Sequence, residues 1–230
     1  MKILCIADSL ALPGHDNTYE DTWFYKLQVA FREHVFISFF KRSITTEILI
    51  TEGGGDASQP NTGADCLEFY TPDVVVLQLG IVDCAPRLMR RKGLLYKIIQ
   101  KSPSGVQNVF YKVLKKTRKR SSTNADVPPH EFSRNLNIYL DRCVKINVKK
   151  VIIIKICTPD NSFVQKSPDI LDAVRLYNGL IDKLKEKYSI VTVVDPLASN
   201  PKHIFEDGYH PNPEGNDLVF NALQMEISNV

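Results

Sequence analysis

Ser9, Asp207 and His210 have the types and spacing needed for nucleophilic catalysis. Ser9 comes soon after the apolar run Ile3 to Ile6, and Asp207 and His210 stand three positions apart in the stretch Asp207-Gly208-Tyr209-His210-Pro211. A serine hydroxyl is a weak nucleophile unless a base lies beside it. With Asp207 and His210 on one turn, the carboxylate reaches imidazole Nδ1 and fixes the tautomer, leaving Nε2 to take the serine proton. Each feature alone is ordinary, since most serines after strands cap a helix or satisfy a turn. Two further stretches suit substrate binding. Gly53-Gly54-Gly55-Asp56 follows Ile48 to Ile50, and glycines let a backbone N–H come close to a substrate, as an oxyanion hole needs. A flexible turn is the plainer reading of those glycines alone. Leu79-Gly80-Ile81-Val82-Asp83 follows the apolar run that begins at Val74, with Arg87 just beyond.

These residues need strands to hold them, and the apolar runs supply candidates. Ile3 to Ile6, Val35 to Phe40, Ile48 to Ile50, Val74 to Leu79, Val151 to Ile156 and Ile190 to Val194 read as buried parallel strands. Thr22 to Arg32, Phe132 to Ile146, Ile170 to Tyr188 and Pro213 to Ile227 read as helices between and after them. Strands alternating with helices predict an α/β fold, a three-layer α/β/α sandwich around a central parallel sheet. All four chemical stretches then fall just after strands, where open parallel sheets bind ligands.

Taken together, Asp8-Ser9-Leu10, Gly55-Asp56, Gly80-x-x-Asp83 and Asp207-x-x-His210 resemble the blocks of the GDSL/SGNH hydrolase superfamily, in compatible order from residue 5 to about 216. The resemblance implies a flavodoxin-like sandwich and metal-free acyl-ester chemistry with no cofactor. Ser9 would attack, His210 would act as base and then acid, Asp207 would orient His210, and the N–H groups of Ser9 and Gly55 would hold the oxyanion. Asp8, Gly80, Asp83 and Arg87 are the candidate substrate-binding residues, with a structural hydrogen-bonding role expected for Asp83. The chain departs from the family pattern in two places. Ala7 replaces a glycine, and Val82 replaces the third-block asparagine whose amide is an oxyanion donor. Losing one such donor costs on the order of 10² to 10³ in turnover. Arg87 and Gln78 are the candidates to replace it; a slow or specialised enzyme and a degenerate, binding-only site are the other readings.

Composition sets the remaining expectations. With 230 residues, 43% hydrophobic and 24% charged, the chain suits one domain over 1–230. Residues 87–129 break its rhythm as a basic, partly helical insertion. From 87 to 120 there are twelve Lys or Arg and no Asp or Glu, in a chain whose net charge is only +3. Val106, Val109, Phe110, Val113 and Leu114 follow helical spacing there, and Ser121 to Pro129 reads as a mobile loop. Such a segment suits an anionic membrane surface or an anionic lipid-linked substrate, although most charge runs are solvated faces. No nucleic-acid motif accompanies the charge. His203 and His210 lack further ligand clusters, so no metal is expected. Leu12 to Asn17 should form a pocket rim, Asn212 and Asn216 should organise the His210 loop, and Trp23 is at least as readily a core anchor as a sugar platform. The five cysteines are scattered, and no N-terminal run is long enough for a signal or a membrane span. The expectation is a cytoplasmic protein, peripheral at the inner membrane face. It would cleave an acyl ester, such as an acetyl group on a carbohydrate. The alternatives are an O-acetyltransferase of surface polysaccharide synthesis working from the same site, or a non-catalytic binding module.

Overall fold

The computed structural model describes residues 1–14, 17–51, 63–89, 93–117, 124–198, 201–205 and 207–230. Five strands form one parallel sheet in the order β2-β1-β3-β4-β5: β1 Lys2–Ala7, β2 Val35–Phe40, β3 Val74–Gln78, β4 Lys150–Ile154 and β5 Val191–Val194. The register pairs Cys5 with Ser38 on one side of β1 and with Val76 on the other. The helices are α1 Trp23–Ala30, α2 Gly63–Tyr70, α3 Ile81–Cys84, α4 Leu94–Gln100, α5 Ser104–Thr117, α6 Pro129–Lys145, α7 Asn161–Lys166, α8 Ile170–Asp182, α9 Leu184–Lys187 and α10 Pro213–Ser228.

Successive strand residues point to opposite faces, and the core divides accordingly. Leu4, Ile6, Val75, Leu77, Val151 and Ile153 pack with Leu67 of α2, Phe132 and Leu140 of α6 and Val174 of α8. Ile3, Cys5, Val74, Val76, Ile152 and Ile154 pack with Trp23 and Leu27 of α1 and Val219 and Leu223 of α10. The expected three-layer sandwich is the fold. Local signals explain the helix starts: Thr22 accepts from the Tyr25 amide ahead of α1, and Asn212 accepts from Gly215 with Pro213 at the first turn of α10.

Three expectations need correction. Ile48 to Ile50 is not a strand, because Thr46–Leu49 forms a 3₁₀ turn. Thr46 is tied to Asp83 at that turn, and of Ile48 to Ile50 only Leu49 is fully buried. Ile170 to Tyr188 is two helices, α8 and α9, with a break at Lys183. The described part of the expected loop 121–129 is pinned rather than loose. Val127 is buried, donates its amide to Asp83 and accepts from the Tyr177 hydroxyl, while Asp126 pairs with Arg87. Helix α2 had no strong periodic signal in eight residues. The five cysteines are all free and buried, Cys84 included, and burial holds the thiols of Cys66, Cys143 and Cys157 up at about 11, 12 and 12.

Candidate active site

β1 delivers Ser9 to the carboxyl edge of the sheet. Immediately after Ala7 the chain turns into a short 3₁₀ helix, Ser9–Ala11, capped by Asp8, whose carboxylate accepts from the Leu10 amide at 2.9 Å. The Asp8 amide donates to the Gln78 carbonyl at the end of β3, at 3.3 Å, so the Ser9 turn is anchored to two strands. Asp8 itself is fully buried. Burial pushes its carboxyl up to about 7, opposed by the Leu10 hydrogen bond and by the charge of His210.

The candidate base, His210, comes from the segment between β5 and α10. A bridge between Ile204 and Pro211, together with Phe205 N–H donating to the His210 carbonyl at 2.8 Å, sets Ile204 and Phe205 beside His210 and Pro211. Gly208 makes the turn with φ +93°. A Cβ there would lie 2.5 Å from Asp160 Oδ1 and 2.8 Å from Phe163 Cβ, so the site needs glycine for conformation and for space. The turn brings Asp207 onto His210. One carboxylate oxygen contacts His210 Nδ1, and the other accepts the backbone N–H groups of Tyr209 at 3.2 Å and His210 at 3.1 Å. Burial alone would raise the Asp207 carboxyl, but these hydrogen bonds outweigh it and hold it at about 2.

On the opposite side of the ring, His210 Nε2 is 3.0 Å from Ser9 Oγ. With a proton on Nδ1, donated to Asp207, a neutral His210 would turn its Nε2 lone pair toward the Ser9 hydroxyl. The structure thus brings together Ser9, Asp207 and His210 from opposite ends of the chain. Asn212 and Asn216 organise this region as expected. Asn216 accepts from the Trp23 amide at 3.1 Å and donates to the Pro211 carbonyl at 3.2 Å. Trp23 is a core anchor, fully buried with Nε1–H donating to Gln78 at 2.9 Å.

The other candidate residues fall in three places. Gly55 lies outside the described residues, with the rest of Gly53-Gly54-Gly55-Asp56. Gly80 and Asp83 are buried in and before α3. Gly80 has φ +128°, and a Cβ on it would meet Ile156 at 2.7 Å. Asp83 accepts from Thr46 N–H at 2.9 Å and Thr46 Oγ1–H at 2.6 Å, the structural hydrogen-bonding role anticipated for it. Arg87 and Val82 border a cavity of about 280 Å³ together with Ser9, Ser43, Phe163 and Tyr209. Arg87 is held there by Asp126 at 3.1 Å and by the Val82 carbonyl at 3.3 Å. Gln78 is instead engaged by Trp23 and lies buried.

A second cavity of about 160 Å³ meets the first at Ser9 and is bordered by His210, Leu12, Pro13, Gly14, Asn17, Arg42 and Phe205. The rim expected from Leu12 to Asn17 is therefore present at its four described residues. Arg42, Ser43, Phe163, Tyr209 and Phe205 were missed. Arg42 and Ser43 had a usable signal, because they follow β2 at the same sheet edge as Ser9. Tyr209 packs on His210 at 4.4 Å between ring centres, and Phe163 packs edge-on against Tyr209 at 5.3 Å.

No protein-family model and no curated protein matches the sequence. Solved structures do match. A lipase/acylhydrolase from Enterococcus faecalis superposes with a TM-score of 0.63 at 15% identity, covering 99% of this chain and 95% of that one. A lipolytic protein of the G-D-S-L family from Veillonella parvula gives 0.59 at 12% identity, with coverage of 100% and 99%. A catalytic mutant of an acetylxylan esterase from Geobacillus stearothermophilus gives 0.58 at 15% identity, with coverage of 98% and 93%. At these identities the likeness is one of fold. The chain has the α/β/α architecture of the GDSL/SGNH hydrolases.

Proposed function

We propose that the protein is a serine-dependent acyl-ester hydrolase. The observation that carries the reading is the alignment of Ser9 Oγ, His210 Nε2 at 3.0 Å, and Asp207 on Nδ1. In the proposed reaction His210 Nε2 takes the Ser9 proton as Oγ bonds to the ester carbonyl carbon. His210 then gives that proton to the departing alcohol, leaving an acyl-Ser9 ester. Water, deprotonated by His210, attacks this ester, and His210 returns the proton to Ser9 Oγ as the bond to the acyl group breaks and the carboxylic acid is released. Asp207 keeps the imidazole in the required tautomer and stabilises its cationic form. We assign the oxyanion to the backbone N–H groups of Ser9 and Gly55. Ser9 opens a helical turn, so its amide has no partner within the turn. Arg87, which borders the same cavity as Ser9 and Val82, takes the place of the absent asparagine donor. Asp8 and Asp83 act from below, by shaping the Ser9 turn and α3, and Gly80 allows the chain to enter α3.

The substrate we propose is an acylated carbohydrate. The acetylxylan esterase among the structural neighbours supports this choice, as do two cavities meeting at Ser9, one for each half of an ester. For the basic segment 87–120 the proposed partner is an anionic membrane surface or an anionic lipid-linked substrate, which would set the enzyme at the inner membrane face. The same acyl-Ser9 could instead pass its acyl group to a sugar hydroxyl. Val82 in the cavity wall favours a third reading, a binding module.

An assay on a small aryl acetate, with and without sugar acceptors, separates these readings. Hydrolysis in buffer that is lost in Ser9→Ala is the expected result. Release that survives Ser9→Ala would end the nucleophile assignment, release only with an acceptor would select the transferase, and no turnover would select the binding module.

A further inference from the structure

α4 and α5 form a hairpin that the proposed chemistry does not use. Gln107 Nε2 ties the two helices by donating to the carbonyls of Gln100 at 3.2 Å and Ser102 at 2.8 Å. Among the described residues of the pair, Ile99 and Leu114 have buried side chains. Five of its other described apolar residues are not covered. Leu95, Ile98, Val106, Val109 and Val113 keep 47–62% of their surface exposed. On α5, Val106, Val109 and Val113 recur at helical spacing, so they form one stripe. Lys112 and Lys116 are exposed alongside that stripe, and Lys97 and Lys101 are exposed on α4 and just after it. No acidic residue occurs from 87 to 120.

We infer that the α4–α5 hairpin docks on an anionic lipid bilayer, lying in its interface with the valine stripe in the acyl boundary and the lysines among the headgroups. Five exposed aliphatic side chains beside lysines that form no salt bridge among the described residues match a surface that is apolar within and anionic at its edge. Lysine stems bury along apolar surface while their ammonium heads reach the phosphates. A second copy of the chain is disfavoured as occupant, because it would bring lysine against lysine. Among the described residues no helix is long and apolar enough to cross a membrane, and the fourteen residues of α5 extend only about 21 Å, so the hairpin lies on the surface. Leu94 lies seven positions after Arg87, which is at the Ser9 cavity. That length limits the distance between them to about 25 Å, so docking brings the cavity near the headgroup layer. The inference deepens the membrane partnership proposed for the basic segment and does not require Ser9 to react.

The test is vesicle co-sedimentation of the full chain with phosphatidylcholine alone and with phosphatidylcholine containing one-third phosphatidylserine. Partitioning should favour the anionic vesicles at least tenfold and weaken as salt is raised. The triple change V106S/V109S/V113S and, separately, K112Q/K116Q should each lower it several-fold with an unchanged thermal melt. Should the valine variant fail to fold, the lysine variant decides. The Ser9→Ala protein should bind as the unaltered chain does, which separates this inference from the esterase reading. Equal recovery on both vesicles, no recovery on either, or binding untouched in the folded variants would overturn it. So would competition by a soluble acidic polypeptide that is unaffected by the valine changes, since that points to an acidic protein instead.

Discussion

A neutral imidazole has one lone pair, and at His210 the contact with Asp207 decides which nitrogen keeps it. Because hydrogen bonds hold the Asp207 carboxyl at about 2, it is ionised throughout the neutral range and fixes the proton on Nδ1. Asp207→Asn should retain the contact but allow the other tautomer, and kcat on an aryl acetate should fall about 10⁴-fold. A drop of less than tenfold would remove Asp207 from that role. Arg87 faces a different demand. If its guanidinium replaces the missing amide at Val82, Arg87→Ala should lower kcat by about 10² to 10³ with little change in KM. A change confined to KM would assign Arg87 to ground-state binding instead. The cluster of Ser9, Asp207 and His210 was legible in the sequence because the proposed nucleophile, base and orienting acid are residue types suited to those roles, and Asp-x-x-His closes on one turn. Tyr209 and Phe163 were not, since aromatic side chains reach the site through packing that no spacing encodes.

At the scale of elements, the site depends on how three turns leave the sheet. The Ser9 turn, the entry to α3 and the 204–211 segment all sit at or beyond the carboxyl ends of strands. Gly208 is the most demanding position among them. Gly208→Ala would combine a positive φ with a Cβ 2.5 Å from Asp160, a strain of about 1–3 kcal/mol. Both Tm and kcat should fall, because relief of the clash moves Asp207 relative to His210. An unchanged Tm and kcat would show that the turn tolerates another conformation. The strands were legible where apolar runs were long enough to be buried on both faces, as in Val74 to Gln78. Ile48 to Ile50 misled because three apolar residues carry no period, and the tertiary tether from Thr46 to Asp83 lies far away in sequence. The loop before α6 misled in the opposite sense. Its polar composition hid Val127, whose burial depends on Tyr177 and Asp83 from other parts of the fold.

For the whole molecule, the buried carboxylates set the dependence of stability on pH. Asp8 and Asp83 are fully buried, and each has one carboxylate oxygen without a hydrogen-bond partner among the described residues. Burial pushes each carboxyl up to about 7, with the charge of Asp8 adding to the rise at Asp83. An unfolded aspartate titrates near about 4. Between these values the folded state binds more protons than the unfolded one. The contribution is therefore complete at about pH 4 and below, and is lost as the pH climbs through 7. Asp207 has the opposite sign, contributing above about pH 4 and losing its contribution as the pH falls through 2. Asp83→Asn keeps an acceptor for Thr46 and removes the charge. Its Tm should fall less than that of the unaltered chain between pH 5 and pH 8.5, and parallel profiles would contradict the assignment.

The central claim, that Ser9 is the nucleophile, is tested most directly by labelling with a fluorophosphonate and mapping the adduct by peptide mass spectrometry. One label per chain should appear, on Ser9, with none in Ser9→Ala and slow labelling in His210→Ala. A label on another residue, or equal labelling of Ser9→Ala, would contradict the account.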